Sequence, residues 1–287
     1  MRKLKEFIIE KLILICGLVS IFFVILIFLF LLKEGLSVFK TITPFKFLFG
    51  KNWYPISEPP QLGILPLIFG SLLVTLGAAI ISIPVGVACA IYIAEIVPLR
   101  IKEILKAGIE LLAAIPSVVL GFIGMVTLVP WLKNTFNLPT GLTALSGSIM
   151  LAFMAMPTIV SIAEDALYSV PRIYKEGAFA LGATHWQTIW RVMLPAASSG
   201  ILAAVMLGIG RVIGETMAVM MITGNAAVIP HSILTPVRTL TATIAAEMGE
   251  AVVGSEHYFA LFAIGTVLFI ISFVINVSAD LFLHKRQ

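Results

Sequence analysis

Arg211 and Glu215 are the two residues whose types and spacing best suit chemistry on a charged solute. They lie deep inside a long apolar run, 197–223. A charged side chain at the centre of a bilayer costs at least ~2.5–3.5 kcal/mol, so such residues usually face a cavity or a partner. The planar guanidinium of arginine can donate two parallel charged hydrogen bonds to a tetrahedral oxyanion. Glu215, one helical turn later, can hold this guanidinium when no solute is bound.

A helical projection of this run separates a small, polar face from an oily one. With 3.6 residues per turn, one face carries the small and charged residues: Gly200, Ala204, Gly208, Arg211, Glu215 and Ala218. Small residues permit close helix approach, as at Gly210 and Gly214, and leave room for a solute. We therefore expect a substrate pathway that includes Arg211, Glu215, Gly208 and Thr216. The alternative is a purely structural Arg211–Glu215 ion pair within one helix.

The stretch between the fourth and fifth apolar runs suits mechanical coupling. Pro171 lies near the start of one predicted helix, and Gly182 ends that helix. Thr184 and Gln187 make a capping-box pattern for a second short helix, which Pro195 stops as it opens the next span. The product is a stiff helix–turn–helix elbow, which can transmit a push from a moving partner. Three side chains are displayed on it: Trp186, Trp190 and Arg191.

The elements that must position these residues are long apolar helices. The chain is 60% hydrophobic and 12% charged, and its mean hydropathy of +1.08 excludes a soluble globular protein. Six runs are long enough to cross a bilayer: 10–33, 63–93, 109–131, 142–163, 197–223 and 258–283. The first run is longer than a signal-peptide core, so it predicts a retained anchor. We predict an all-α integral membrane protein with six transmembrane helices.

The predicted organisation has three parts. Residues 1–33 form an N-terminal transmembrane anchor, 34–62 an external interfacial segment, and 63–284 a five-span core that contains the elbow at 164–195. Aromatic residues beside lysines in 34–62 suit an element that lies on the membrane surface. Prolines inside three predicted spans each favour a kink: Pro84, Pro116 and Pro157.

Basic residues predict the orientation. With the N-terminus inside, twelve lie on the cytoplasmic side: Arg2, Lys3, Lys5, Lys11, Arg100, Lys102, Lys106, Arg172, Lys175, Arg191, Lys285 and Arg286. Six lie outside, so both termini and the elbow are expected in the cytoplasm. The net charge of +4 then reflects topology and contact with the lipid bilayer, and it gives no reason to expect nucleic acid. Cys16 and Cys89 both fall within predicted spans, so no disulfide framework is expected.

The elbow resembles the cytoplasmic coupling signature of importer-type ABC permeases: Glu-Ala-Ala, three residues, Gly, nine residues, then Ile-x-Leu-Pro. Five positions match it: Glu176, Ala178, Gly182, Leu194 and Pro195. Two depart mildly in size, with Gly177 in place of Ala and Val192 in place of Ile. The resemblance implies a type I (MetI-like) ABC importer permease core, in which 63–284 is the permease domain and the elbow couples to a separate ATPase.

The residues around Arg211 narrow the resemblance. The segment 210–218, followed by Gly224-Asn225, is similar to the phosphate-specific transport (Pst) permeases, as are 63–66, 114–117 and 238–244. The Glu-Thr-Met-Ala-Val form and the tail 260–269 resemble the PstC type more than the PstA type. The resemblance implies a non-catalytic permease subunit for inorganic phosphate in the cell membrane.

The same resemblance implies the partners. They are a second, PstA-like permease forming a heterodimer, a PstB-like ATPase dimer, and an external PstS-like phosphate-binding protein. The chain has no G-x-x-x-x-G-K-[ST] loop, so ATP and Mg²⁺ are expected on the ATPase and no cofactor on this chain. Segment 224–257, with a net charge of −2, is the expected docking surface for the binding protein.

Other functions fit parts of the same pattern. Any tetrahedral oxyanion suits an arginine, so sulfate, molybdate or tungstate are alternatives to phosphate. An ion-driven carrier would explain the intramembrane charges but not the elbow. The histidines are scattered and form no constellation typical of a membrane enzyme: His185, His231, His257 and His284. Glu164 and Asp165 are expected to be a solvated or helix-capping pair.

Overall fold

Apolar helices dominate the computed structural model, which describes residues 2–284. Five helical stretches are long and apolar enough to cross a membrane: Ile9–Lys40, Leu65–Ile96, Ser117–Thr135, Ala144–Tyr168 and Glu256–Ser278. A sixth is formed if the bent pair His185–Ala196 and Ser198–Ile213, which meet at 71°, counts as one span. The predicted all-α integral membrane fold is confirmed, with five to six candidate spans. Lys285 and Arg286, part of the charge argument, lie outside the described residues.

The element order is helical except for one short hairpin. The helices are α1 Arg2–Leu36, α2 Pro44–Phe49, α3 Leu65–Ile91, α4 Leu99–Ala114, α5 Ser117–Ile123, α6 Val129–Thr135, α7 Ala144–Tyr168, α8 Arg172–Ala180, α9 His185–Thr188, α10 Leu194–Ala196, α11 Ser198–Ile213, α12 Met217–Ile222, α13 Leu240–Glu247 and α14 Glu256–His284. A 3₁₀ turn occupies Ser37–Lys40, and π turns occupy Tyr92–Ile96, Gly124–Leu128 and Ile189–Met193. Strands β1 Trp53–Tyr54 and β2 Gln61–Leu62 pair antiparallel.

Helix α7 is the centre of the bundle. In its apolar span 61% of the residues are buried, against at most 22% in each of the other four spans. Helices α3 and α11 both pack on it. A Cβ added to Gly86 of α3 or Gly208 of α11 would lie within 3 Å of Ile159 on α7. Small residues at these contacts let the helix backbones approach closely.

Helix α1 lies along α14. Phe28 stacks on Phe269 with ring centroids 4.8 Å apart, and Phe30 meets Phe262 edge to face at 5.5 Å. Gly35 faces the backbone of Ala263, where an added Cβ would lie 3.0 Å from the Cα. The predicted anchor thus packs on the last span.

Segment 34–62, predicted to be an external interfacial segment, has both buried and exposed apolar residues. Phe47, Trp53 and Leu62 are buried in a core shared with α3, α13 and α14. The β1–β2 pairing places Trp53 opposite Leu62. Two of the aromatic residues that suggested a membrane interface, Phe47 and Trp53, therefore lie in a hydrophobic core at this end of the bundle, which we call the hairpin end. Phe45, Phe49 and Tyr54 are exposed. The opposite end, which carries α8, is called the elbow end.

The third predicted span begins later than expected. The helix predicted at 109–131 is broken at Ile115, whose extended backbone precedes Pro116, and helix resumes at Ser117. This agrees with the clash that disfavours helical geometry before proline. Pro84 and Pro157, by contrast, lie within the continuous helices α3 and α7.

Of the pair expected to be solvated or helix-capping, Asp165 is exposed, whereas Glu164 is buried and ion-paired. Its side chain is 4% exposed and lies 2.5 Å from the Nζ of Lys102 and 2.9 Å from that of Lys106. Lys106 also pairs with the exposed Asp165. Hydrogen bonds to Glu164 and then to Asp165 raise the pKa of Lys106 well above its ordinary value. The buried carboxylate therefore joins α4 to α7 at the elbow end.

Candidate transport pathway and coupling elbow

The fifth span is interrupted at the residues predicted to contact substrate. Helix α11 ends at Ile213, Gly214 follows as its C-cap, and α12 begins at Met217. Arg211 lies in the last turn of α11 with its side chain exposed. Interrupted helices are a recurring feature of substrate sites in transporters, because they leave backbone groups free at membrane depth.

The predicted ion pair between Arg211 and Glu215 is absent: within residues 2–284, these two side chains form no salt bridge. The Oε1 of Glu215 instead accepts a hydrogen bond of 3.3 Å from the backbone N–H of Ala218 in the first turn of α12. An i, i+4 pair needs one continuous helix, and the helix ends between the two residues. The expectation that Glu215 holds the guanidinium is therefore wrong for this conformation.

Some glycines of α11 pack against α7, and others face no neighbouring side chain. An added Cβ would lie 2.4 Å from Ala166 at Gly200 and 2.5 Å from Ile159 at Gly208, so both glycines pack on α7. Around Gly210 an added Cβ meets nothing within 4 Å, and at Gly214 it meets only carbonyl oxygens of the preceding turn. Gly208 therefore contributes to a helix contact, and the open side is that of Gly210 and Gly214.

Thr216 lies in the interruption with Glu215. Its hydroxyl donates a hydrogen bond of 3.3 Å to the carbonyl oxygen of Gly214. The structure therefore places Arg211, Glu215 and Thr216 within six residues around one helix break, whereas Gly208 lies in the contact with α7. Their roles in transport remain predictions.

The first arm of the elbow forms as the sequence predicts. Pro171 precedes α8, and Gly182, with φ of +81°, follows its C-cap. Thr184 accepts from the N–H of Gln187 at 3.3 Å, and the Gln187 side chain accepts from the N–H of Thr184 at 2.9 Å. The predicted capping box is confirmed, so both helix ends at the turn are fixed by local bonds.

The second arm runs further than expected. Pro195 does not stop it: helix continues through α9, a π turn and α10 to Ala196, and the 71° bend follows at Ala197. Leu194 donates its N–H to the carbonyl of Ile189 in the π turn. Pro195 comes next and has no N–H to donate, which a widened turn accommodates.

The elbow exposes apolar side chains to its surroundings and is anchored by others that are buried. Leu181 is 91% exposed, and Trp186 and Trp190 are 59% and 62% exposed. Ile189 and Met193 are buried in a cluster with residues of α3 and α7. Among the five signature positions, Glu176, Gly182 and Pro195 are exposed, Leu194 is half-buried and Ala178 is buried. An exposed apolar patch of this kind is typical of a protein–protein contact.

A polar cluster at the hairpin end was only partly expected. The carboxylate of Glu247 accepts from Arg238 Nη1 at 2.5 Å and from Trp53 Nε1 at 3.1 Å, and it lies 2.9 Å from Nε2 of His257. Arg238 and Glu247 both lie in segment 224–257, but Trp53 lies 194 residues from Glu247. His257, one of the scattered histidines, is therefore part of this cluster. Glu250 lines the same cleft and is exposed.

Two contacting residues at the elbow end gave no sequence signal. Lys175 of α8 lies 2.5 Å from Glu95, which follows α3. Their separation of 80 residues exceeds the reach of any helical periodicity. Only a burial prediction for Glu95 could have indicated that it needs a cation.

A bundle of membrane-length helices with an exposed elbow between two of them is the arrangement expected of a transport permease. Comparison with known proteins identifies the family. The model for the inner membrane component of binding-protein-dependent transport systems matches residues 82–286. The chain belongs to this family. It is a multi-pass membrane protein, and its relatives are permease subunits.

Two relatives show the extent of the match. The chain is 43% identical to the probable ABC transporter permease protein YqgH of Bacillus subtilis (strain 168), over 90% of this chain and 84% of the relative. It is 36% identical to the phosphate transport system permease protein PstC of Mesorhizobium japonicum, over 88% and 81% of the two chains.

Solved structures confirm the fold. The inward-facing MetNI methionine ABC transporter matches with a TM-score of 0.63 at 18% identity, over 81% of this chain and 100% of that chain. A bacterial alginate ABC transporter in complex with its periplasmic protein matches with a TM-score of 0.64 at 17% identity, over 94% and 93%. The MetI-like ABC importer permease fold predicted from the elbow is thereby confirmed.

Proposed function

We propose that this chain is the PstC-type permease subunit of an ATP-driven importer of inorganic phosphate. The observation that carries the proposal is the identity of 32–36% with PstC permeases from several bacteria. The PstC-like segment 210–218 coincides with the helix interruption. Sequence similarity and an intramembrane arginine therefore agree on an anionic substrate.

Arg211 is the group proposed to compensate the charge of phosphate in the membrane. Its guanidinium is not engaged by Glu215, whose carboxylate binds the backbone of α12. A free planar guanidinium can donate two parallel hydrogen bonds to a phosphate oxygen pair. The carboxylate of Glu215, four residues after Arg211, would repel an anion bound at Arg211. This repulsion favours release over tight binding. Thr216 adds a hydroxyl at the same break.

The partners follow from the surfaces at each end. A PstB-like ATPase dimer, which uses ATP and Mg²⁺, docks on the exposed elbow around Leu181, Trp186 and Trp190. A PstA-like second permease lies on the open side of Gly210 and Gly214 and completes the pathway. An external PstS-like protein delivers phosphate at the hairpin end. The chain itself binds no cofactor and hydrolyses no ATP.

The proposed orientation places the elbow end and both termini in the cytoplasm of a cell whose plasma membrane holds the complex. The predicted topology, with twelve basic residues on the cytoplasmic side against six outside, supports it. ATP binding closes the ATPase pair, the elbows move together, and the permease dimer opens outward to accept phosphate. Hydrolysis returns the dimer to the inward-facing state, and phosphate leaves.

The test is uptake of labelled phosphate by cells that express the whole complex, with Arg211→Lys compared to wild type. Lysine keeps the charge but cannot donate two parallel hydrogen bonds as the planar guanidinium does, so we expect uptake to fall at least about ten-fold. Arg100→Lys, an exposed arginine of α4, is the matched control and should transport normally. Uptake by Arg211→Lys at the wild-type rate would assign Arg211 a structural role.

Competition decides the substrate in the same assay. An excess of unlabelled sulfate or molybdate should leave phosphate uptake unchanged. Strong competition by either would replace the phosphate assignment with another oxyanion. Uptake that persists after removal of the ATPase subunit would favour an ion-driven carrier.

A further inference from the structure

The interruption of the fifth span leaves a backbone carbonyl that the helices do not use. The carbonyl oxygen of Glu215 accepts a hydrogen bond of 2.8 Å from the hydroxyl of Thr241. A carbonyl without a partner is costly wherever the protein shields it from water. The bond from Thr241 therefore stabilises the broken conformation itself.

Thr241 belongs to a different part of the chain, 26 residues further on, in the first turn of α13. It is 8% exposed. Its hydroxyl oxygen lies 3.1 Å from that of Thr239, whose own oxygen accepts from the N–H of Ala242. With its single proton given to Glu215, Thr241 accepts from the Thr239 hydroxyl. The bond to the interruption is thus oriented by a neighbouring hydroxyl.

Helix α13 is held at both ends, so the position of Thr241 is well determined. At its start, Leu240 donates its N–H to the hydroxyl of Ser71 on α3 at 2.9 Å. At its end, Glu247 binds Arg238, Trp53 and His257. The eight residues of α13 therefore connect the cluster at the hairpin end to the helix break.

We infer that Thr241 is a positioning residue of the transport pathway. It holds the carbonyl of Glu215 and so fixes the chain turn that places Arg211 and Thr216 on either side of the break. The inference rests on the proposed function, in which this break is the substrate pathway. Thr241 itself is not assigned to contact substrate.

Thr241→Val tests this inference, because valine keeps the shape and removes the donor. Thr241→Ser restores the donor. Thr243→Val is the matched control: Thr243 is fully buried in the same helix, but its hydroxyl donates to Thr239, the carbonyl four residues earlier in its own chain. Uptake is measured per permease molecule in membranes of cells that express the whole complex, with the permease quantified by immunoblot.

We expect Thr241→Val to lower uptake per molecule on the order of ten-fold, because a partly buried acceptor loses its donor. Thr241→Ser should recover most of the wild-type rate, and Thr243→Val should match wild type. Normal uptake by Thr241→Val would overturn the inference. So would equal defects in the two valine variants, or a loss of permease molecules that accounts for the whole loss of uptake.

A failure of the proposed function can be distinguished from a failure of the inference about Thr241. If the wild-type complex carries sulfate or molybdate rather than phosphate, the substrate assignment fails, and the same three variants are compared with that anion. If the wild type carries its anion by an ATP-driven route and Thr241→Val does too at the full rate, only the inference about Thr241 fails.

Discussion

The ammonium of Lys175 lies 2.5 Å from the carboxylate of Glu95, whose side chain is only 6% exposed. Lys175 belongs to α8, and Glu95 lies in the π turn that follows α3. Within α8 Ala178 is the residue that is buried, so apolar packing holds this helix weakly. The ion pair therefore attaches the first arm of the elbow to a central span.

Reversing one charge of this pair should uncouple the elbow. Lys175→Glu places two carboxylates together, and we expect a loss of about 2 kcal/mol in local stability, below the value for a fully buried pair because Lys175 is partly exposed. Transport per ATP hydrolysed, measured on the reconstituted complex, should fall. The double variant Lys175→Glu with Glu95→Lys should recover it.

Lys106→Gln is the control for that experiment. It also removes a cation from a buried carboxylate at the elbow end, but Lys102 remains paired with Glu164. Coupling should stay normal. The prediction fails if the double exchange is no better than the single one, or if Lys106→Gln is equally uncoupled.

We predict that a glycine is required at position 182 because of its backbone conformation alone. Its φ of +81° is unfavourable for other residues although an added Cβ would meet nothing within 4 Å. Gly182→Ala should destabilise the turn by about 1–2 kcal/mol, and hydrogen exchange in peptides covering 172–196 should accelerate. Gly177→Ala has equal space within a regular helix and should gain about 0.5–1 kcal/mol. Similar exchange in the two variants would contradict this explanation.

Glu215 should tolerate loss of its charge better than loss of its oxygen. Glutamine keeps an acceptor for the N–H of Ala218, whereas alanine removes it at a cost of about 1 kcal/mol, as for a helix cap. We expect Glu215→Gln to retain more uptake and a higher melting temperature of the purified complex than Glu215→Ala. Equal defects would indicate that the negative charge is required, as in an ion pair with Arg211.

Glu247 should be the most important residue for stability at the hairpin end. Glu247→Gln weakens the bonds to Arg238 and His257 together, and we expect a loss of about 1–3 kcal/mol. Exchange protection over 238–257 should fall. Glu250→Gln, in the same cleft but exposed, should leave protection unchanged. A stable Glu247→Gln variant would show that apolar packing alone holds this end.

Several features could be predicted because they depend on neighbouring residues. The number of spans follows from the length of apolar runs, and the first arm of the elbow follows from Pro171, Gly182 and the Thr184–Gln187 capping box. Each of these signals acts over fewer than about 25 residues. The break at Ile115 also had a local cause in Pro116, although a kink was expected instead.

Tertiary structure decided what local signals could not. A helical projection of 197–223 assumes one continuous helix, so it paired Glu215 with Arg211, whereas the break is stabilised by Thr241 from α13. The aromatic residues of 34–62 suited a membrane surface, yet Phe47 and Trp53 fill a core made by distant helices. The sequence by itself determined how many helices cross the membrane and where the elbow turns. Which polar groups meet was decided only by packing, because burial leaves each group to bond with whatever the fold brings near it.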